Sequence, residues 1–210
     1  MAFKTKDRVI SEKDYLEGEL ESEIKYEYID GHVYAMGGVS KNHSILTATI
    51  GRKFGNILEK KPCNTHQSDF KVRVGTKYFY PDVMVECDEK GDEFYTELPI
   101  IIVEVLSPST RIIDEITKLR AYQTIPSLIE YVMVSQEIVR VMVFRRIGGI
   151  WESKIYALGD SIYFESIGQT LTVEEIYHRV DNEEMRVYQQ MQHDQKLFYK
   201  KGGSNGSEEV

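Results

Sequence analysis

The sequence predicts a mixed α/β fold, with one central sheet flanked by helices, and three observations carry that prediction. In "KNHSILTATIGRKFGNILEKK" apolar residues recur at helical period. From "DFKVRVG" onward the period switches to two, and a series of β-rich runs follows. Two of those runs, "IIIVEVLS" and "IEYVMVS", flank a helical stretch, which is the order of a right-handed βαβ crossover with parallel strands.

Ser11, with Asp14 three residues on, has the form of an N-cap and its partner and opens a short helix through Glu21. "KYEYIDGHVYAM" reads as a hairpin about the turn dipeptide Asp30-Gly31. Ser40 caps the next helix, whose apolar face is Leu46, Ile50, Ile57 and Leu58, and Pro62 closes it. The strands are "DFKVRVG", "FYPDVMVEC", "IIIVEVLS", "IEYVMVS", "IVRVMVFRRIG" and "WESKIYAL", interrupted once by the helical "RIIDEITKLRAYQTI". "LTVEEIYHRV" opens a C-terminal helix from about residue 172 to about Lys200, and residues 201–210 have the composition of a disordered tail. No repeat or linker divides residues 1–200, so one domain is expected.

A chain of 210 residues can bury a sizeable core. No apolar run reaches the length of a membrane span, and the start "MAFKTKDRVISEKDYLEGE" lacks a signal peptide's apolar centre, so a cytoplasmic location is expected. Cys63 and Cys87 allow one disulfide, but reduced thiols are the expectation in that compartment. A net charge of −8 argues against binding polyanions over the whole surface. It leaves room for a local basic groove at Lys71, Arg73 and Lys77 or at Arg140, Arg145 and Arg146, residues that equally fit solvated strand faces.

Glu104 stands out inside an apolar, β-branched run that reads as a strand buried on both faces, where a carboxylate needs a partner. Alternation puts Ile102, Glu104 and Leu106 on one face and Ile101, Val103 and Val105 on the other. Asp82, fixed by Pro81, opens the preceding strand. An Asp and a Glu converging from neighbouring strands make the hard oxygen site that Mg²⁺ or Mn²⁺ prefers. Without an ion, Lys118 or an arginine must neutralise Glu104, or it stays protonated.

"YPDVMVE…IIVEVLSPSTRIIDEITKLRAY" resembles a large bacterial restriction endonuclease family within the PD-(D/E)XK nuclease superfamily, over roughly residues 26–158. The resemblance implies a restriction-endonuclease-like domain, a divalent metal (Mg²⁺ or Mn²⁺) and hydrolysis of nucleic-acid phosphodiesters, DNA foremost. The superfamily places a lysine two residues after the glutamate, and here that position is Leu106. In the bacterial family the lysine sits on the next helix, and the matching residue is Lys118. Ile112, Ile116 and Leu119 make that helix's apolar stripe with Tyr122 flanking, and Lys118 near its border can reach the end of the sheet. Spacing alone also fits a surface lysine paired with Asp114.

The resemblance suggests that Glu27 completes the metal site, a residue that would serve equally as a cross-strand partner. Gln67 is a weaker candidate of the same kind, and Asp69 and Glu86 read as structural. His32, His43, His66, His178 and His193 form no metal-binding spacing and are set aside. Tyr177, Val180, Tyr188, Met191 and Phe198 lie near heptad spacing, which suits docking on the domain or pairing in a homodimer. The expected activity is thus a Mg²⁺-dependent endonuclease with Asp82, Glu104 and Lys118 catalytic. The rival expectation is an inactive nucleic-acid-binding or assembly module that kept the fold.

Overall fold

The computed structural model describes residues 9–87, 91–107 and 113–202. The expected mixed α/β class holds, but the strands divide between two larger sheets and a two-stranded ribbon. Helix α1 (Glu12–Leu20) starts as predicted, with the Ser11 hydroxyl accepting from Asp14 N–H. Strands β1 (Tyr26–Ile29) and β2 (His32–Ala35) form the hairpin, and Asp30 (φ 49°) and Gly31 (φ 93°) supply the two left-handed residues its tight turn demands. The Asp30 carboxylate accepts from Thr76 and Lys77, and those hydrogen bonds hold its pKa below the usual carboxylate range.

Helix α2 (Lys41–Leu58) follows, then β3 (Asn64–Gln67), β4 (Lys71–Val74), β5 (Lys77–Phe79), β6 (Val83–Glu86), β7 (Tyr95–Thr96) and β8 (Pro99–Leu106). The run "FYPDVMVEC" is therefore two strands: Pro81 has no N–H to donate, and the ladder breaks there. After β8 come a π-helical turn (Ile113–Lys118), α3 (Leu119–Tyr122), β9 (Glu130–Ser135), β10 (Val141–Ile147) and β11 (Ile150–Tyr156). Strands β12 (Ser161–Phe164) and β13 (Gln169–Thr172) make the ribbon, and α4 (Val173–Ile176) and α5 (Glu183–Gly202) end the chain.

The expected single C-terminal helix is broken. Arg179 adopts a left-handed φ of 71°, and Asn182 restarts the chain by accepting from Met185 N–H. Residues 201–202, assigned to the tail from composition, extend α5, while 203–210 lie outside the described residues.

Sheet order is β2-β1-β5-β4-β7 in one sheet and β11-β10-β9-β8-β6-β3 in the other. β8 and β9 pair in parallel, as the βαβ order predicted. Helix α2 lays Leu46, Ile50, Phe54 and Leu58 on Val83, Val85, Ile101, Val103 and Val105. Each such side chain contributes roughly 1.5–3 kcal/mol on full burial. A second core fills the space between the two sheets: Val72 and Phe79 from one, Met84, Ile102, Leu106 and Tyr131 from the other, with Tyr122 between them. The two faces of β8 divide as alternation required, and Glu104 projects with Ile102 and Leu106 into the inter-sheet layer.

The cysteines depart from expectation. Cys63 and Cys87 form a disulfide, because the β3–β6 register pairs Asn64 with Glu86 and so sets the two flanking cysteines opposite each other. No helix among the described residues is long and apolar enough to cross a membrane.

Candidate active site

Glu104 is 3% exposed, and the charge that answers it is Lys118. Glu104 Oε1 accepts from Lys118 Nζ at 3.1 Å and from the Tyr122 hydroxyl at 2.9 Å. The same ammonium lies 2.8 Å from Glu27 Oε1 and 3.2 Å from Asp114 Oδ1. Glu27 reaches it from β1, on the opposite sheet, and accepts Tyr80 N–H at 3.2 Å. The π-helical turn makes the approach from α3's side. Its wide register turns both Asp114 and Lys118 inward, and Tyr131 holds it by donating to the Asp114 carbonyl.

That register overturns the expected stripe. Ile116 is 49% exposed, Leu119 is half-buried, and Ile112 lies outside the described residues. Buried carboxylates demand a cation more strongly than the core demands one more isoleucine. The surface-pair and inward placements of Lys118 are not alternatives either, since Asp114 is its partner inside the protein.

The cluster carries surplus negative charge. Glu27, Glu104 and Asp114 surround one lysine, all four buried, so the fully ionised group sums to −2. Burial pushes Glu104's carboxyl well above the usual carboxylate range, with Lys118 opposing and Asp114, Asp82 and Glu27 adding to the rise. Burial alone would lower Lys118, but Glu104, Glu27 and Asp114 outweigh it and hold the ammonium well above the usual lysine value. Asp114 Oδ1, near Lys118 yet off hydrogen-bonding geometry, has no hydrogen-bond partner among the described residues. Burial also raises Tyr122 far above an ordinary phenol, so its hydroxyl remains a donor to Glu104.

Asp82 lies beside this cluster. The β6–β8 register, Val83 opposite Val103, continues to set Asp82 across from Glu104. Its Oδ2 accepts Val105 N–H at 2.7 Å, where β6 would have offered a carbonyl, and lies 3.2 Å from His43 Nε2. Asp82 and Glu104 offer only hard oxygens. Among the described residues no three His, Cys, Asp or Glu side chains form a group able to hold an ion. A divalent cation nevertheless fits: Mg²⁺ is commonly held by one or two carboxylates with water and phosphate completing its shell, and the surplus charge favours it.

Of the residues singled out from sequence, Glu27, Glu104 and Lys118 meet directly, with Asp82 adjacent. Gln67 stands apart. It pairs with Val83 and packs its amide over Gly51 of α2, where a Cβ would come within 2.2 Å of its Cδ. Leu106 is buried in the inter-sheet core. Asp69 pairs with Lys25, and Glu86 with His66. Most residues of the candidate basic grooves have partners of their own. Lys71 is buried against Tyr80, Arg73 pairs with Glu12 and Glu97, Arg145 with Glu130, and Arg146 donates to carbonyls at the end of α3. Sequence reasoning missed Asp114 as a member of the cluster, the Tyr122 hydroxyl and His43. The available signals were the four-residue spacing of Asp114, Lys118 and Tyr122, and His43's place three residues after a capping serine.

Residues 13–174 match the Uma2 family, described as "Putative restriction endonuclease". Two uncharacterized proteins of Synechocystis sp. are similar: one is 37% identical over 174 residues, covering 80% of this chain and 91% of the relative. The other is 31% identical over 147 residues, covering 67% and 83%. A crystal structure from Anabaena variabilis, titled as a putative nuclease belonging to DUF820, superposes with a TM-score of 0.66 at 16% identity, covering 80% of this chain and 97% of that one. At that identity the likeness speaks for the fold alone.

Proposed function

This chain belongs to the Uma2 family, and from that membership we propose that it is a divalent-metal-dependent endonuclease acting on DNA. The observation that carries the reading is the convergence of three buried carboxylates on one lysine at the end of β8, beside Asp82, with more negative charge than that lysine can neutralise. Asp82 and Glu104 are the residues that would hold Mg²⁺ or Mn²⁺, with Glu27 nearest to assist. The ion, when bound, lowers the pKa of a coordinated water and stabilises charge on the scissile phosphate. Lys118 supplies a fixed positive charge for that phosphate, doing from the helix what a lysine at position 106 does elsewhere in the superfamily. Tyr122 fixes the rotamer of Glu104 through its hydroxyl.

The test is cleavage of supercoiled plasmid, with a structured RNA in parallel, in Mg²⁺, Mn²⁺ and EDTA. Nicking that needs the metal and disappears in Asp82→Ala is expected. Asp82→Ala cleaving at the wild-type rate would sink the assignment. The second reading, an inactive binding module, is favoured by Leu106 in the usual lysine position. It predicts nucleic-acid binding with no turnover under any metal.

We propose further that the protein works as a homodimer through α5, which lies beyond the part matched by the family. Of the residues at heptad spacing, Tyr177 and Val180 are buried in the domain's own core and Tyr188 packs against it, while Met191, with Val187, is exposed along α5, at 65% and 54%. Sedimentation should give a dimer that Met191→Glu dissociates. A wild-type monomer at all accessible concentrations would remove this part of the proposal.

A further inference from the structure

We propose that His43 is a positioning residue for Asp82, holding that carboxylate in the one rotation that commits Oδ2 to the protein and leaves Oδ1 for a divalent cation. The proposal rests on the reading of Asp82 and Glu104 as the metal-holding pair.

His43 is 7% exposed in the first turn of α2, on the side that carries Leu46 and Ile50 into the core. A buried imidazole needs partners for both nitrogens. It has Asp82 Oδ2 at 3.2 Å from Nε2 and the Thr47 hydroxyl at 3.5 Å from Nδ1. Asp82 Oδ2 is also the acceptor of Val105 N–H, so both contacts fall on one oxygen, and Oδ1 has no partner among the described residues.

The start of α2 is itself pinned to β8. Gln136 donates to the Leu106 carbonyl at 3.1 Å and accepts from the Ser40 hydroxyl, while Ser40 Oγ caps α2 by accepting His43 N–H at 3.1 Å. The end of β8 therefore fixes Asp82 twice, directly through Val105 N–H and indirectly through Gln136, Ser40 and His43. A strand-end carboxylate held only by one N–H can rotate about its terminal bond, and the imidazole packed 3.2 Å from the oxygen that accepts that N–H restricts the rotation.

The test is Mn²⁺ binding to the purified full chain by calorimetry, in wild type, Asp82→Ala and three variants at position 43. Loss of an outer-shell partner typically weakens metal affinity by about 10–100-fold. His43→Ala should raise the Mn²⁺ dissociation constant by that factor while cleavage recovers at saturating metal. His43→Gln, whose amide reaches where Nε2 stands, should restore affinity to within about threefold of wild type, whereas the shorter His43→Asn should not. The Gln and Asn pair keeps the test alive if the alanine variant fails to fold. A purely structural role would lower thermal stability and leave the dissociation constant unchanged across all three variants, which overturns the proposal. Wild type that binds Mn²⁺ through Asp82, with position 43 neutral, overturns this inference alone. Wild type that binds no Mn²⁺ overturns the metal-site reading together with it.

Discussion

Glu104→Gln is expected to lower metal-dependent cleavage by about 10³-fold or more, a barrier increase of roughly 4 kcal/mol, while making the metal-free protein more stable at pH 8. The two effects have one cause. Glu104 is a member of a cluster whose carboxylates outnumber its ammonium, so the protein without metal contains charge it cannot neutralise. Replacing the carboxylate by its neutral isostere removes one charge and leaves Lys118 still paired with Glu27 and Asp114.

The sign with pH follows from the raised pKa of Glu104. Folding lifts that pKa above its unfolded value, so the group costs nothing below the ordinary carboxylate range. Stability is then lost as pH rises through the folded pKa. Lys118, raised as well, changes its contribution only above the ordinary lysine range, outside this window. In EDTA, the melting temperature of Glu104→Gln minus that of wild type should be near zero at about pH 4 and grow as pH rises above the ordinary carboxylate range. Millimolar Mg²⁺ should then stabilise wild type more than the variant, because only the native metal site gains from mass action. A wild type more stable than Glu104→Gln at pH 8 without metal would mean that the cluster is balanced and asks for no cation.

The sequence made some of this legible because it was local. The faces of β8 follow from strict alternation, so Ile101, Val103 and Val105 could be assigned to one core and Ile102 and Leu106 to another. Ser11, Ser40 and the Asp30-Gly31 turn are short-range chemistry, with partners within three residues. What could not be read depends on contacts far apart in the chain. The disulfide needs β3, and "NTHQ" has none of the β-branched alternation that announces a strand, because it is a partly exposed edge paired on one side only. Lys118 could be read as surface or interior because helical periodicity assumes an α-helical register. The π turn that brings it and Asp114 together answers to Glu27 and Glu104, from strands in two different sheets. His43 has no metal-ligand spacing in the sequence, and its partner is a carboxylate just before β6, far along the chain.

Lys118→Met is expected to cost about 3–5 kcal/mol of folding stability, the usual penalty for removing one partner of a buried ion pair, and to abolish cleavage. Methionine keeps the length and most of the volume of the side chain, so the loss is one of charge rather than packing. Among the described residues Lys118 is the ammonium that Glu27, Glu104 and Asp114 share, and its removal leaves those buried carboxylates without a cation. An exposed lysine paired with Asp114 at i, i+4 would contribute only about 0.3 kcal/mol, so urea denaturation separates the two situations by an order of magnitude. A midpoint unchanged in Lys118→Met would show that the ammonium does not hold the cluster together. Uncompensated charge also predicts non-additivity. Asp114→Asn on the Lys118→Met background should restore part of the lost stability, although in the wild-type background it removes one of the lysine's partners. Cleavage should stay absent in the double variant, because neutralising a neighbour relieves repulsion but puts no positive charge where the phosphate has to be held.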